Sequence, residues 1–499
     1  MTNPFDRQAQ CPSCGAPMVF KFAGARAQVC KHCKFVVART DRNLVAVGRV
    51  ADLVDIPTPL QVGVTGRWGG EPFVVDGRVQ LDRAGAPGAP WQEIFIAFPA
   101  SGRWCWVASA QGRWYSTSEV QAQAGVCPPI GALRPGATIQ LGPYGAWQVA
   151  EVGRRRVVSG EGEMPAVATP GVVTGYADLG GPNGAFGTID YGDGQEPPRL
   201  YLGRQIDPAV MELDGGAPVE AAEAKSEALA CPSCGGNLPI IVPGSAERIV
   251  CRYCGTASDL AQGALRALGP SPKPPHPPFV PLGAEGTLRG NHVICIGFVI
   301  RGCTVDGERY RWREYLLHAG TRVGYLWLME EEGSWQLVTP IPPGEVQVSG
   351  RAASYKGKHY SWKQSVQAQV EHVIGEFYWK VEIGETVTAT EYQGPGGKVS
   401  VEQAPTEVTY SFCERLGAKE IGQVFGIAPP PSSVLGGLGG SDDGDSMPST
   451  AASSLITIVV IVFVVMLLIG MASCGSCVGG GGGGYGTSGG FGSPSFGGK

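Results

Sequence analysis

The amino-acid sequence predicts a mainly β protein: two zinc ribbons and two small antiparallel β-sheet or barrel-like modules in tandem, plus one C-terminal transmembrane helix. Three observations predict it. A CPSCG motif at Cys11 returns at Cys231, and each copy is followed by a second C-x2-C pair. Trp91, Glu93, Trp106, Gly112 and Trp114 recur as Trp312, Glu314, Trp327, Gly333 and Trp335, all at one offset of 221. Finally, residues 455–472 form an 18-residue apolar run without a charge.

The totals agree with a chain of short strands. At 499 residues it is too long for one core. Charged residues are only 17% and glycines number 76, which favours strands and turns over long exposed helices. A net charge of −5 argues against a dedicated nucleic-acid binder. The first ten residues are polar and show no secretory signal, so the 15 cysteines are expected in a reducing compartment, as metal ligands or core residues.

The ribbons come first. Cys11, Cys14, Cys30 and Cys33 (ribbon 1, residues 8–40) form C-x2-C-x15-C-x2-C. Cys231, Cys234, Cys251 and Cys254 (ribbon 2, residues 231–258) form the same pattern with x16. Two residues between thiolates make a knuckle that aims both sulfurs at one ion. A hairpin then brings the second knuckle to complete a tetrahedron. Zn2+ is the expected metal at both sites, with iron or a redox-active pair as the alternatives. Four protein ligands close the shell, so a structural role is expected.

Each ribbon precedes a β module, residues 41–213 and 282–425. Runs such as FVVDGRVQL, WQEIFIAF, GRWCWVAS and EVTYSFCERL, divided by turns at Gln111-Gly112 and Glu332-Gly333, predict small sheets or partly open barrels that hold the tryptophans inside. After ribbon 1, Leu44, Val47, Val50 and Val54 recur at helical spacing and predict a short helix. Residues 214–230 read as a linker, and 259–281 as a Pro-rich, semi-rigid extended one. Residues 426–454 read as disordered and 473–499 as a Gly-rich disordered tail. Eighteen residues of helix span about 27 Å, close to a bilayer core of about 30 Å. Cys105, Cys127, Cys295, Cys303 and Cys413 read as packing residues. Cys474 and Cys477 leave a disulfide, a lipidated thiol or no role open.

Catalytic signals are sparse. His292, His318, His359 and His372 all lie in the second module, and the partner of His318 at the repeat offset is Ala97, so structural or surface roles are expected. Glu93 and Glu314 recur in both copies. Either could be a general base, but a carboxylate paired with arginine or facing solvent is the preferred reading. There is no nucleophile elbow and no phosphate-binding loop. Residues 21–42 carry six cations against Asp41, yet ribbon 2 lacks such a patch, so nucleic-acid binding is a minor alternative.

The strings that follow each ribbon carry a resemblance. WQEIFIAF and GRWCWVAS in the first copy, and GEFYWKVEIGE and EVTYSF in the second, resemble the bacterial family named domain of unknown function 4178. The resemblance covers both repeats to about Leu416. The first copy departs where EGEMPAVATPG stands in place of GEFYWKVEIGE. The resemblance implies a fold rather than a reaction, and a setting related to membrane stress. The expected protein is a single-pass protein of the bacterial inner membrane with its modules in the cytoplasm, where thiols stay reduced. Its expected role is that of a non-enzymatic adaptor or scaffold, docking protein partners through the ribbons (loops 16–28 and 236–249) and the β modules. The alternative is ligand binding or an enzymatic role in the second module, near Trp327, Trp362 and Trp379.

Overall fold

The computed structural model describes residues 7–430, with breaks at 23, 41–42, 54–55, 57, 86–89, 111–112, 168, 215–226, 243–245 and 262–263. The expected transmembrane helix, the Gly-rich tail, Cys474 and Cys477, nearly all of the preceding linker, Val54 and the Gln111-Gly112 turn lie outside the described residues. Among the described residues no helix is long and apolar enough to cross a membrane.

Each β module is a closed antiparallel barrel of eight strands, not an open sheet. In the first copy, β1 (Glu71–Arg83), β2 (Trp91–Phe98), β3 (Arg103–Ala110) and β4 (Arg113–Val120) form one meander. A second meander follows: β5 (Ala146–Met164), β6 (Val173–Gly180), β7 (Ala185–Gly192) and β8 (Arg199–Ile206). Pairing of β4 with β8 and of β5 with β1 closes the ring. The second copy repeats this with β9 (Asn291–Val305), β10 (Glu308–His318), β11 (Tyr325–Glu331) and β12 (Ser334–Ile341), then β13 (Lys358–Phe377), β14 (Thr386–Gly394), β15 (Gly397–Gln403) and β16 (Val408–Leu416). Here β12 pairs with β16, and β13 with β9. Closure pairs every strand on both sides, which removes the exposed edges an open sheet would leave.

Alternation along the strands sorts core from site. Ile94, Ile96, Cys105 and Val107 are buried together on one face of β2 and β3. The intervening Trp91, Glu93, Trp106 and Ala108 point the other way, into a cavity. Trp114 and Trp335, a repeat pair, are both buried, whereas Trp362 is 37% exposed.

The long strands β5 and β13 (19 and 20 residues) serve two structures at once. Their first parts close the barrels. Their ends pair with ribbon strands Ala27–Val29 and Arg248–Val250, so ribbon and barrel share one continuous sheet. Where each long strand crosses its barrel's first strand there is a glycine at positive φ, Gly162 (+77°) and Gly375 (+103°). A Cβ there would stand 2.1 Å from the Asp76 carbonyl oxygen or 2.3 Å from that of Ile296.

The helix expected at Leu44–Val54 is a strand, Leu44–Arg49, paired with Phe35–Arg39. Ala46 and Gly48 face successive residues of that partner, leaving Val47 as a bulge. The extra residue shifts the side-chain parity, so that Val47 and Val50, three apart, pack on one cluster with Val36, Val79 and Leu81. The linker expected at residues 259–281 is in its first half a hairpin, Thr256–Ala261 paired with Ala264–Pro270, and its Pro-rich second half is packed rather than free. Ser271 N–H bonds the Gly255 carbonyl at 2.8 Å, and Val280 is fully buried in the second core.

The two copies touch directly. Arg113 donates to the carbonyls of Val323 and Pro340 (both 3.2 Å), and the Gly344 N–H donates to Gln148 Oε1 at 2.9 Å. Val152 N–H donates to the Thr406 carbonyl at 2.9 Å beside an antiparallel bridge between Glu151 and Glu407.

Candidate metal centres and the shared cavity

Each predicted set of four cysteines comes together. Sγ of Cys11 lies 3.7 Å from that of Cys33, and Cys14 lies 3.7 Å from Cys30. In ribbon 2, Cys231–Cys254 is 3.6 Å and Cys234–Cys251 is 3.8 Å. All four sulfurs of each set lie within 4.8 Å of one another. Sulfurs at about 2.3 Å from a shared ion in a tetrahedron stand about 3.8 Å apart, so each set fits one four-coordinate ion. A disulfide needs about 2.05 Å and is ruled out by the same distances. The two clusters could therefore hold two metal ions.

Backbone turns preset the knuckles. Gly15, Lys34, Gly235 and Gly255 each follow a C-x2-C pair at positive φ, and each donates its N–H to the carbonyl of that pair's first cysteine at 2.8–2.9 Å. Three are glycine; Lys34 alone pays the Cβ penalty of the left-handed region. Charge is tuned locally. The Thr256 hydroxyl and amide hold the Cys254 thiol down to about 6. Burial pushes Cys33 up, but the Phe35 amide and the neighbouring thiols outweigh it and bring that thiol to about 7.

A carboxylate latches each ribbon to its barrel. Glu163, at the end of β5, accepts the amides of Lys21 (2.7 Å) and Phe22 (2.9 Å). Glu376, at the end of β13, accepts those of Ile241 (2.7 Å) and Val242 (2.8 Å). Burial outweighs both bonds and pushes Glu376 up to about 7. Neither glutamate recurs at the 221 offset, although each stands near the start of the region where the two copies diverge. EGEM and GEF can be aligned on them.

The recurring Glu93 and Glu314 pair with arginines. Arg155 reaches Glu93 at 2.9 Å and Asp190 at 3.2 Å; Arg301 reaches Glu314 at 3.2 Å and Glu402 at 3.1 Å. The neighbouring indoles of Trp91 (3.3 Å) and Trp312 (2.7 Å) donate to the same carboxylates. Burial pushes Glu314 up, against the pull of Arg301. The two arginines had no sequence signal, because they do not occupy equivalent positions. Leu81 faces Trp91 as Arg301 faces Trp312, and Arg155 corresponds to Ala368 on the long strand.

These clusters line one cavity of about 1730 Å³ shared by the two barrels. Trp91, Trp106 and Tyr176 come from the first barrel, and Trp327, Tyr378 and Trp379 from the second. Trp327 and Trp379 meet edge to face at 5.7 Å, as the sequence grouped them. Trp362 is not with them: it stands outside, under the Arg351 guanidinium at 4.2 Å. His318 lines the cavity, where burial and then the His292 charge push it down to about 4, so it is neutral near pH 7. His359 is exposed on the surface, and His372 Nδ1 lies 3.2 Å from the Pro272 carbonyl oxygen.

A family model described as "Domain of unknown function (DUF4178)" matches residues 61–208 and 281–416, more than half of the chain. The chain belongs to the DUF4178 family. The two DUF4178 matches begin beside Leu60 and Leu282 and end at the last strand of each barrel, so the family unit is the barrel. The ribbon precedes it and is joined to it through the long strand. No curated protein and no solved structure matches the chain.

Proposed function

We propose that this DUF4178 protein is a membrane-tethered, non-enzymatic binding protein whose two barrels act as one receptor for a small molecule. The observation that carries the reading is the cavity of about 1730 Å³, walled by aromatic side chains of both barrels. Charged groups of both barrels, among them Arg155, Asp178, Arg301 and Glu402, line the same cavity, so a ligand there would be a polar molecule with an aromatic or apolar part. The two repeated carboxylates of the cavity, Glu93 and Glu314, are each held by an arginine and an indole, which favours binding over proton transfer at either of them. Zinc at both ribbons would supply rigidity rather than chemistry, because four cysteines leave no open position. The apolar run at 455–472 would tether the unit to the inner membrane with the ribbons in the cytoplasm.

Native mass spectrometry of the full chain, released gently from its own membranes, tests the receptor. A bound small molecule at one per chain, lost in Trp327→Ala and Trp379→Ala chains that keep their metal, is the expected result. A ligand-free chain with no thermal shift across a metabolite panel overturns it. One observation favours a second reading, docking of a protein partner through the ribbons: Tyr253, inside a ribbon 2 knuckle, is 51% exposed beneath the Arg252 guanidinium. Partner capture abolished by Tyr253→Ala, with the cavity variants silent, selects that reading.

A further inference from the structure

The second barrel carries a three-stranded sheet at the start of its long strand, where the described residues of the first carry two strands, Thr138–Gln140 against the start of β5. Val346–Ser349, Ala352–Tyr355 and the start of β13 form three paired strands. The outer turn uses Lys356 (φ +48°) and Gly357 (φ +70°), the two positive-φ positions of a tight hairpin. Between Glu345 and Glu371 the sequence holds Arg351, Lys356, Lys358 and Lys363 and no acid. Lys363 is neutralised by Glu391 at 3.2 Å. The other three cations are exposed and have no carboxylate partner among the described residues. The matching stretch of the first copy, residues 121–145, holds one cation, Arg134, which donates to the Gly131 and Leu133 carbonyls.

Apolar surface accompanies the charge. Val346, Ala353 and Tyr360 lie on one face of this sheet and are buried in the core. Val348 and Trp362, two residues further along on the same face, overhang it at 41% and 37% exposure. Arg351 covers the Trp362 ring at 4.2 Å, and Lys356 covers Tyr355 at 5.1 Å.

We propose that this sheet, Val346 to Lys363, docks on an anionic phospholipid surface. Trp362 and Val348 would enter the interfacial region, with Arg351, Lys356 and Lys358 against lipid phosphates. One observation favours lipid over nucleic acid. Both rings already carry a cation on the face that a base would stack on. A membrane partner suits the chain for a further reason, which rests on the tether reading above. Only 24 residues separate Pro430 from the apolar run, at most about 80 Å of chain, so a weak surface contact would act at high local concentration. Each exposed cation is worth about fivefold in partitioning to an anionic surface, so three give roughly a hundredfold.

The test uses the full chain with a benzoylphenylalanine photo-crosslinker at Ser349, the exposed last residue of its strand. Flotation with neutral phosphatidylcholine vesicles reports the apolar run alone. Crosslinking to lipid in nanodiscs, with and without one-third phosphatidylglycerol, reports the sheet. A lipid crosslink at least tenfold stronger with phosphatidylglycerol, and lost in Arg351→Gln/Lys356→Asn/Lys358→Gln, is the expected result. The three substitutions touch no ion pair, and asparagine tolerates the backbone at 356. Equal crosslinking in both discs, unchanged in the variant, overturns the docking proposal and leaves the tether standing. A chain that fails to float with neutral vesicles overturns the tether. In that case, flotation with phosphatidylglycerol vesicles that the variant loses sustains the docking proposal, and its absence overturns that too. A salt-sensitive shift of single-stranded RNA, lost in the variant while lipid contact is absent, replaces lipid with nucleic acid as the partner.

Discussion

The two ribbon–barrel copies share one topology but solve the same local problems with different residues. Each buries a glutamate beside a tryptophan, Glu93 or Glu314, and each must supply a cation, since an unpaired buried charge is costly. In the first barrel the arginine comes from β5 (Arg155); in the second it comes from β9 (Arg301). Next to each barrel the short strand carrying Gly66 or Gly286 is also covered differently. A Cβ on Gly66 would meet the Glu212 carbonyl of a strand, and one on Gly286 would meet the Val424 carbonyl of the helix Ala418–Phe425. The demand is set by the fold, while the donor is free to move. This is why the residues shared at one offset include the glutamates and not their partners.

The largest expected effect separates ribbon from barrel. Binding of structural zinc supplies about 10–16 kcal/mol of folding free energy in small zinc domains. Cys231→Ser should lower the metal content from two ions per chain to one by native mass spectrometry. Fast hydrogen exchange should then appear in Arg248–Val250 and spread to the end of β13, leaving ribbon 1 and the first barrel protected. Exchange that rises equally in both ribbons would show that the copies are not separable.

The arginine exchange is the next largest. Arg301→Ala should cost about 3–5 kcal/mol in chemical denaturation, because it strands Glu314. Adding Ala368→Arg, the placement the first barrel uses, should restore at least half. No rescue would mean that the two barrels are not interchangeable at this position. The latch follows. Glu376→Ala leaves two buried amides without an acceptor and should cost about 2–3 kcal/mol, with exchange at Ile241 and Val242 as the local readout. Glu376→Gln, which keeps one acceptor, should cost less.

The pH response is smaller. Burial pushes Glu376, Asp178 and Glu407 up to about 7; the Glu151 charge adds to the push on Asp178 and Glu407. A carboxyl whose folded value is raised contributes stability that is fully present below its unfolded value of about 4. That contribution is lost as pH rises through about 7. The melting temperature of the metal-loaded chain should therefore fall by a few degrees from pH 6 to pH 8, and Glu407→Gln should flatten the slope. A flat profile in the parent chain would sink this account. The smallest effect compares the knuckles. Lys34→Gly, matching Gly255 of ribbon 2, should stabilise ribbon 1 by about 1 kcal/mol, read as slower metal loss to a chelator.

The sequence by itself determined the duplication, the two four-cysteine clusters and most strands. Those signals are local: thiol spacing fixes a knuckle, and alternation over a few residues fixes a strand and its two faces. That the repeated glutamates pair with arginine or face solvent was also legible as a preference; the structure selects the pairing. What only the tertiary structure decided depends on partners distant in sequence. Barrel closure requires β5 to meet β1 and β13 to meet β9 across more than sixty residues of chain. The third ribbon strand at Leu44–Arg49 copies a helical period only because a bulge at Val47 adds one residue against Phe35–Arg39. The shared cavity exists because two barrels pack together, and no single stretch of sequence encodes a wall built from both. Trp327, Trp362 and Trp379 look alike in the sequence. Strand parity and the edge of the core put two of them in the cavity and the third on the surface.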